Sequence, residues 1–136
     1  YLEGQCIELM ANSDNVLRGG LTPKHVDVAE LLKHVSFVET IPDVTKGKLL
    51  ENGIERVFES PVSDFELSKI SLPLQKTYQS NSTTAQILFV IEGSADLIEG
   101  DTKLSLSKGD AVFLLANSNY TLNTQTGFTV YKATTP

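Results

Sequence analysis

The chain has 136 residues, enough for one ordinary domain or for one domain with a remnant of another. A 40% hydrophobic and 21% charged composition describes a globular chain and excludes a disordered one. The formal net charge of -6 argues against a nucleic-acid or anionic-membrane surface, and the single Cys6 excludes an internal disulfide and fits a reducing, cytoplasmic setting.

The opening Tyr1-Leu2-Glu3-Gly4-Gln5 carries no Met and no signal segment, and reads as the middle of a longer chain. Gln5 to Met10 alternate, with Cys6, Glu8 and Met10 on one face and Gln5, Ile7 and Leu9 on the other. Either face can be the inward one. Asn12-Ser13-Asp14-Asn15 is turn chemistry, because these short side chains hydrogen-bond their own backbone. Val16-Leu17-Arg18 resumes an extended path, and Gly19-Gly20 lets the backbone turn or approach something closely.

A helix follows over Val28–Val35. Asp27 is its N-cap, Glu30 three residues on completes a capping box, and Val28, Leu31, Leu32 and Val35 form an apolar stripe. Lys33 and His34 suit the negative C-terminal end. From Phe37 onward the pattern is short strands. The candidates are Glu55–Glu59, Phe65–Leu72, Gln86–Glu92, Ser94–Glu99, Lys103–Leu106, Ala111–Leu115, Tyr120–Asn123 and Phe128–Ala133. Breaks at Glu92-Gly93, Glu99-Gly100-Asp101, Lys108-Gly109-Asp110, Asn117-Ser118-Asn119 and Gln125-Thr126-Gly127 separate the later ones. The spacing predicts a β-sandwich or barrel. No apolar run approaches the roughly 20 residues that span a bilayer.

Little in this chain has the spacing of a metal or nucleotide site. His25 and His34 are the only histidines, nine residues apart, and fit no ligand pattern. Cys6 has no partner cysteine and no nearby histidine, so it reads as a core thiol. Gly19-Gly20 lacks phosphate-loop and dinucleotide spacing. That leaves Glu8, Asp14, Arg18 and Lys24: a carboxylate on an alternating segment suits acid–base work, and an arginine fork suits carboxylate, phosphate or sugar oxygens.

The segments "ILFVIEGSADL" and "LSLSKGDAVFLLANSNY" resemble the two halves of a cupin β-barrel. A cupin metal site would need histidines at positions where this chain has Tyr78-Gln79-Ser80-Asn81-Ser82 and Tyr120. The skeleton is therefore expected without its ligands.

The opening "YLEGQCIELMANSDNVLRGGLTPKHVDVAELL" resembles the type I mannose-6-phosphate isomerase family, with the pattern H-A-Y-L-x-G-x-x-x-E-x-M-A-x-S-D-N-x-x-R-x-G-L/F-T-P-K. The match runs through Tyr1, Leu2, Gly4, Glu8, Met10, Ala11, Ser13 to Asn15, Arg18 and Gly20 to Lys24, and looks more bacterial than eukaryotic. The resemblance implies a mainly β chain. Residues 1–26 would be the C-terminal remnant, with its orphan strands, of a catalytic cupin domain. Residues 27–36 would be a linking helix, and 37–136 a metal-free, cupin-like jelly-roll β-sandwich. It further implies interconversion of mannose 6-phosphate and fructose 6-phosphate through a cis-enediol. Arg18, Glu8 and Asp14 would be catalytic, and Lys24 with Arg18 would bind substrate. Zinc is expected in the intact parent, on ligands upstream of Tyr1, and none in this piece, which alone would be inactive. The alternative is a free-standing, metal-free β-sandwich that binds a partner.

Overall fold

The structure, a computed structural model, describes residues 3–12 and 16–136. They divide into two compact units. One combines the described residues up to Leu9 with Thr45–Pro136, and the other lies within Met10–Val44.

The larger unit is a β-sandwich in which every pairing is antiparallel. Its strands are β1 (Lys48–Leu49), β2 (Glu55–Phe58), β3 (Glu66–Leu72), β4 (Thr77–Asn81), β5 (Gln86–Glu99), β6 (Thr102–Ser107), β7 (Ala111–Leu114), β8 (Asn119–Asn123) and β9 (Phe128–Thr134). One sheet runs β1-β2-β3-β9-β5-β7 and the other β4-β8-β5-β6. The expected class, a mainly β cupin-like sandwich with one short helix, is the observed one.

β5 belongs to both sheets. Its first half pairs with β7 and β9, and its second with β6 and β8. The expected break at Glu92-Gly93 is not a turn between two strands but a bulge within one. Val90 faces Val130 and Glu92 faces Thr129, so β5 spends one residue more than β9. The bulge reverses the side-chain phase, from Leu88 and Val90 inward before it to Ala95 and Leu97 inward after it. Gly93 makes the bend possible: its φ is +76°, and a Cβ there would collide with the carbonyl oxygen of Gly127.

The core lies between the sheets. Ile70 and Leu72 of β3, Leu88, Val90 and Leu97 of β5, Leu122 of β8, and Phe128 and Val130 of β9 are all buried. Each large apolar side chain so buried contributes about 1.5–3 kcal/mol. β1 and β4 went unrecognised in the sequence. Only Tyr78 of β4 carries a large apolar side chain, and β1 has two residues.

In the smaller unit α1 spans Val28–His34. The Asp27 carboxylate accepts from the Glu30 amide at 2.9 Å, as expected of an N-cap. The reciprocal half of the capping box is absent, because the Glu30 carboxylate instead accepts from Lys33 at 2.7 Å and meets His34 Nε2 at 2.9 Å. The helix stops at His34, where Val35 turns extended. Its apolar stripe is not buried: Val28 and Leu32 are exposed, and Leu31 is half-buried.

Candidate functional site

Four residues were singled out by the sequence, and the structure describes three of them. Asp14 lies outside the described residues. Glu8 stands in the larger unit, on a segment that belongs to no strand and has no ladder partner among the described residues, and is exposed. Its neighbours Ile7 and Leu9 are half-buried, so of the two faces of this segment the apolar one is turned inward. Cys6 is exposed, which corrects its reading as a core thiol: it lies in the same phase as Glu8.

Arg18 and Lys24 stand in the smaller unit. Arg18 is half-buried and Lys24 exposed, its amide donating to Thr22 Oγ1 at 3.2 Å. What Gly19 approaches is the helix, since a Cβ there would sit 3.4 Å from Leu31 Cδ2. Among the described residues the ion pairs are Lys33–Glu30, His34–Glu30, Lys103–Asp96 and Lys132–Glu55, and none involves Glu8, Arg18 or Lys24.

A second group of polar residues, inside the sandwich, was not anticipated. Glu55 of β2 and Lys132 of β9 form an ion pair at 2.6 Å, with side chains only 5% and 10% exposed. Ser68 of β3 donates to Glu55 Oε1 at 2.7 Å, and the Tyr78 hydroxyl of β4 donates to Oε2 at 2.6 Å. Burial pushes the Glu55 carboxyl up, but the Lys132 ammonium and the two hydroxyl donors outweigh it and hold the carboxyl below its ordinary value. The Tyr78 phenol is pushed up by burial and by the Glu55 charge it faces. Beside it, at a ring separation of 6.4 Å, Tyr120 of β8 donates to Gln86 of β5 at 3.0 Å, and burial raises its phenol to about 12.

Tyr78 and Tyr120 thus tie one sheet to the other. They occupy the interior region where the cupin comparison sought histidines. No buried side-chain nitrogen or oxygen among the described residues lacks a partner, so this cluster presents no orphaned atom to a ligand. Nor do three His, Cys, Asp or Glu residues converge anywhere among the described residues, so the donors present do not fit a zinc centre. A signal for the cluster existed. Lys132 continues the inward phase of Phe128 and Val130, and Glu55 shares the phase of Val57.

Comparison with known proteins gives a consistent set of matches. A family model described as the mannose-6-phosphate isomerase cupin domain matches residues 54–132. The mannose-6-phosphate isomerase of Escherichia coli (strain K12) is 41% identical over 119 residues, covering 88% of this chain and 30% of that protein. The Salmonella typhimurium mannose-6-phosphate isomerase is 43% identical over 123 residues, again 88% and 30%. The chain therefore spans about 30% of the length of these curated relatives.

A crystal structure of the Salmonella enzyme bound to fructose 6-phosphate and zinc aligns with a TM-score of 0.76 at 34% identity. That alignment covers 93% of this chain and 32% of the other. Two further structures of that enzyme, one with a glutamate and one with an arginine ten positions later changed to alanine, align with TM-scores of 0.76 and 0.75.

Proposed function

The chain belongs to the mannose-6-phosphate isomerase family, and we propose that it is the C-terminal part of a zinc-dependent enzyme interconverting mannose 6-phosphate and fructose 6-phosphate. The observation that carries this reading is identity of 41% and 43% to two such isomerases over 88% of the chain. In this reading residues 1–26 complete a catalytic cupin domain, 27–36 link it onward, and 37–136 are a sandwich without a metal site. The zinc is held by residues outside this chain. A cytoplasmic location is part of this reading, and a single, exposed cysteine fits its reducing setting.

The reaction moves one proton between C1 and C2 of the sugar phosphate through a cis-enediol. Arg18 is the electrostatic clamp on the developing enediolate oxygens, since its planar fork is permanently charged and donates in two parallel directions. Lys24 holds the phosphate or neutralises a carboxylate. Glu8 or Asp14 is the base or orients one. Support for Glu8 and Arg18 comes from their separation: they stand ten positions apart, as do the glutamate and arginine replaced in the Salmonella structures.

Arg18→Ala in the longer polypeptide tests this reading. It should lower kcat by about 10²–10³, the usual loss for one preorganised donor. Its effect on stability should stay within about 1 kcal/mol. Arg18→Lys should fail too, because it keeps the charge but loses the fork. Wild-type-like kcat in Arg18→Lys would reject the clamp.

A further inference from the structure

In the smaller unit Arg18, Thr22, Val26, Glu30 and Leu31 are half-buried, while Val16, Leu17, Gly19 and Leu21 around Arg18 are exposed. Residues 16–20 belong to no strand or helix. No ladder fixes their course, so the place of Arg18 depends on what packs against its neighbours.

The helix α1 packs there. A groove of about 330 Å³ brings Val16 and Leu17 together with Glu30 and His34 of α1. One residue past Arg18, a Cβ on Gly19 would sit 3.4 Å from Leu31 Cδ2, at the near limit of van der Waals contact. Arg18 is therefore bracketed, since the residue before it and the residue after it both lie against one helix. The two glycines have different tasks. Gly20, at φ +79° with open space around it, turns the chain. Gly19 has no left-handed backbone and presents its bare α-carbon to Leu31. Leu31 in turn is the one residue of the apolar stripe of α1 that is not exposed. Glu30, which lines the same groove, is engaged by Lys33 at 2.7 Å and His34 at 2.9 Å. The helix thus meets the Arg18 segment through an apolar contact rather than through a charge.

We infer that Leu31 is the positioning residue for Arg18, a step that rests on the clamp role proposed above. Seated on the bare face of Gly19, it fixes the backbone directly after Arg18. It thereby sets the direction from which the guanidinium reaches the reacting oxygens. Leu31 touches no substrate and acts only through Arg18.

A structural and a kinetic measurement test this. In the 136-residue chain, a nuclear Overhauser effect should connect a Leu31 δ-methyl to the Gly19 α-protons, and its absence would overturn the proposal. In the longer polypeptide, Leu31→Ala should lower kcat for mannose 6-phosphate by at least about fivefold, within the roughly 10² that a misplacement of about 1 Å can cost. KM and zinc content should stay within about twofold, because binding and metal do not depend on the clamp. Leu31→Met, of similar volume, should recover most of the loss in kcat. In an Arg18→Ala background, Leu31→Ala should lower kcat by less than about twofold further, because the group it positions is gone. A loss below fivefold in Leu31→Ala, or an equal loss with and without Arg18, would overturn the proposal. Should Leu31→Ala not fold, the same two kinetic results are read from Gly19→Ala, whose added methyl intrudes on the contact and whose backbone accepts alanine. The Overhauser contact together with an Arg18→Ala that keeps the unmutated kcat would sustain the seating and reject the function proposed for Arg18.

Discussion

Glu55 and Lys132 form a buried ion pair inside the sandwich. An ion pair this buried is not itself strong evidence of stability, but breaking it from one side leaves a charge stranded. Lys132→Met should therefore cost about 3–5 kcal/mol in denaturant unfolding. Glu55→Gln with Lys132→Met should cost less than the sum of the two single changes, because neither charge is then left alone. The pair also gives a pH dependence with a definite sign. The Glu55 carboxyl is held below its ordinary value when folded, so its contribution is fully present above the unfolded pKa of about 4.3. That contribution is lost as pH falls through the lower folded value. Unfolding free energy measured between pH 6 and 3 should fall less steeply in Glu55→Gln than in the unmutated chain; identical slopes would show that Glu55 titrates as in the unfolded chain. The period-two phase of Phe128, Val130 and Lys132 made an inward lysine legible. That the carboxylate facing it would be Glu55 was not, because β2 and β9 both pair with β3 and only the register brings the two charges together.

At the scale of elements, turn residues were read well as interruptions and less well as to kind. Glu99-Gly100-Asp101 and Lys108-Gly109-Asp110 end strands as expected. Glu92-Gly93 does not, because a glycine next to a bulge bends a strand where the same glycine in a hairpin would end it. Gly93→Ala should accordingly cost more than the roughly 1–2 kcal/mol of a left-handed backbone alone, because the Gly127 backbone must also move. Gly100→Ala has φ +55° and open space around it, and should cost only the backbone share. Equal thermal shifts for the two would contradict the close approach. β4 escaped notice for a different reason: along it Tyr78 is followed by half-buried Ser80 and, just past the strand, by buried Ser82, whose hydroxyl donates to the Leu115 and Ser118 carbonyls, so no apolar alternation marks it. In α1 the cap was legible and its partner was not, because Lys33 and His34 one turn on compete for the Glu30 carboxylate. Asp27→Ala should lower helix stability by about 1 kcal/mol, seen as faster amide exchange over Glu30–His34.

For the whole molecule, the family was legible in the ordered run of fifteen matching residues from Tyr1 to Lys24, Glu8, Arg18 and Lys24 among them, which needs no knowledge of the fold. How these side chains are grouped was not legible, because they fall in two compact units. Glu8 belongs to the unit of the sandwich and Arg18 and Lys24 to another, so no single compact unit holds the set. In the function proposed above, the sandwich is a folded support and the chemistry lies in the longer polypeptide. The decisive assay follows interconversion of mannose 6-phosphate and fructose 6-phosphate by the 136-residue chain beside the longer polypeptide, with zinc measured in both. The expected result is a folded 136-residue chain with no stoichiometric zinc and turnover lower by at least about 10²–10³, the share of even one missing preorganised donor. Stoichiometric zinc and comparable turnover in the 136-residue chain would contradict it.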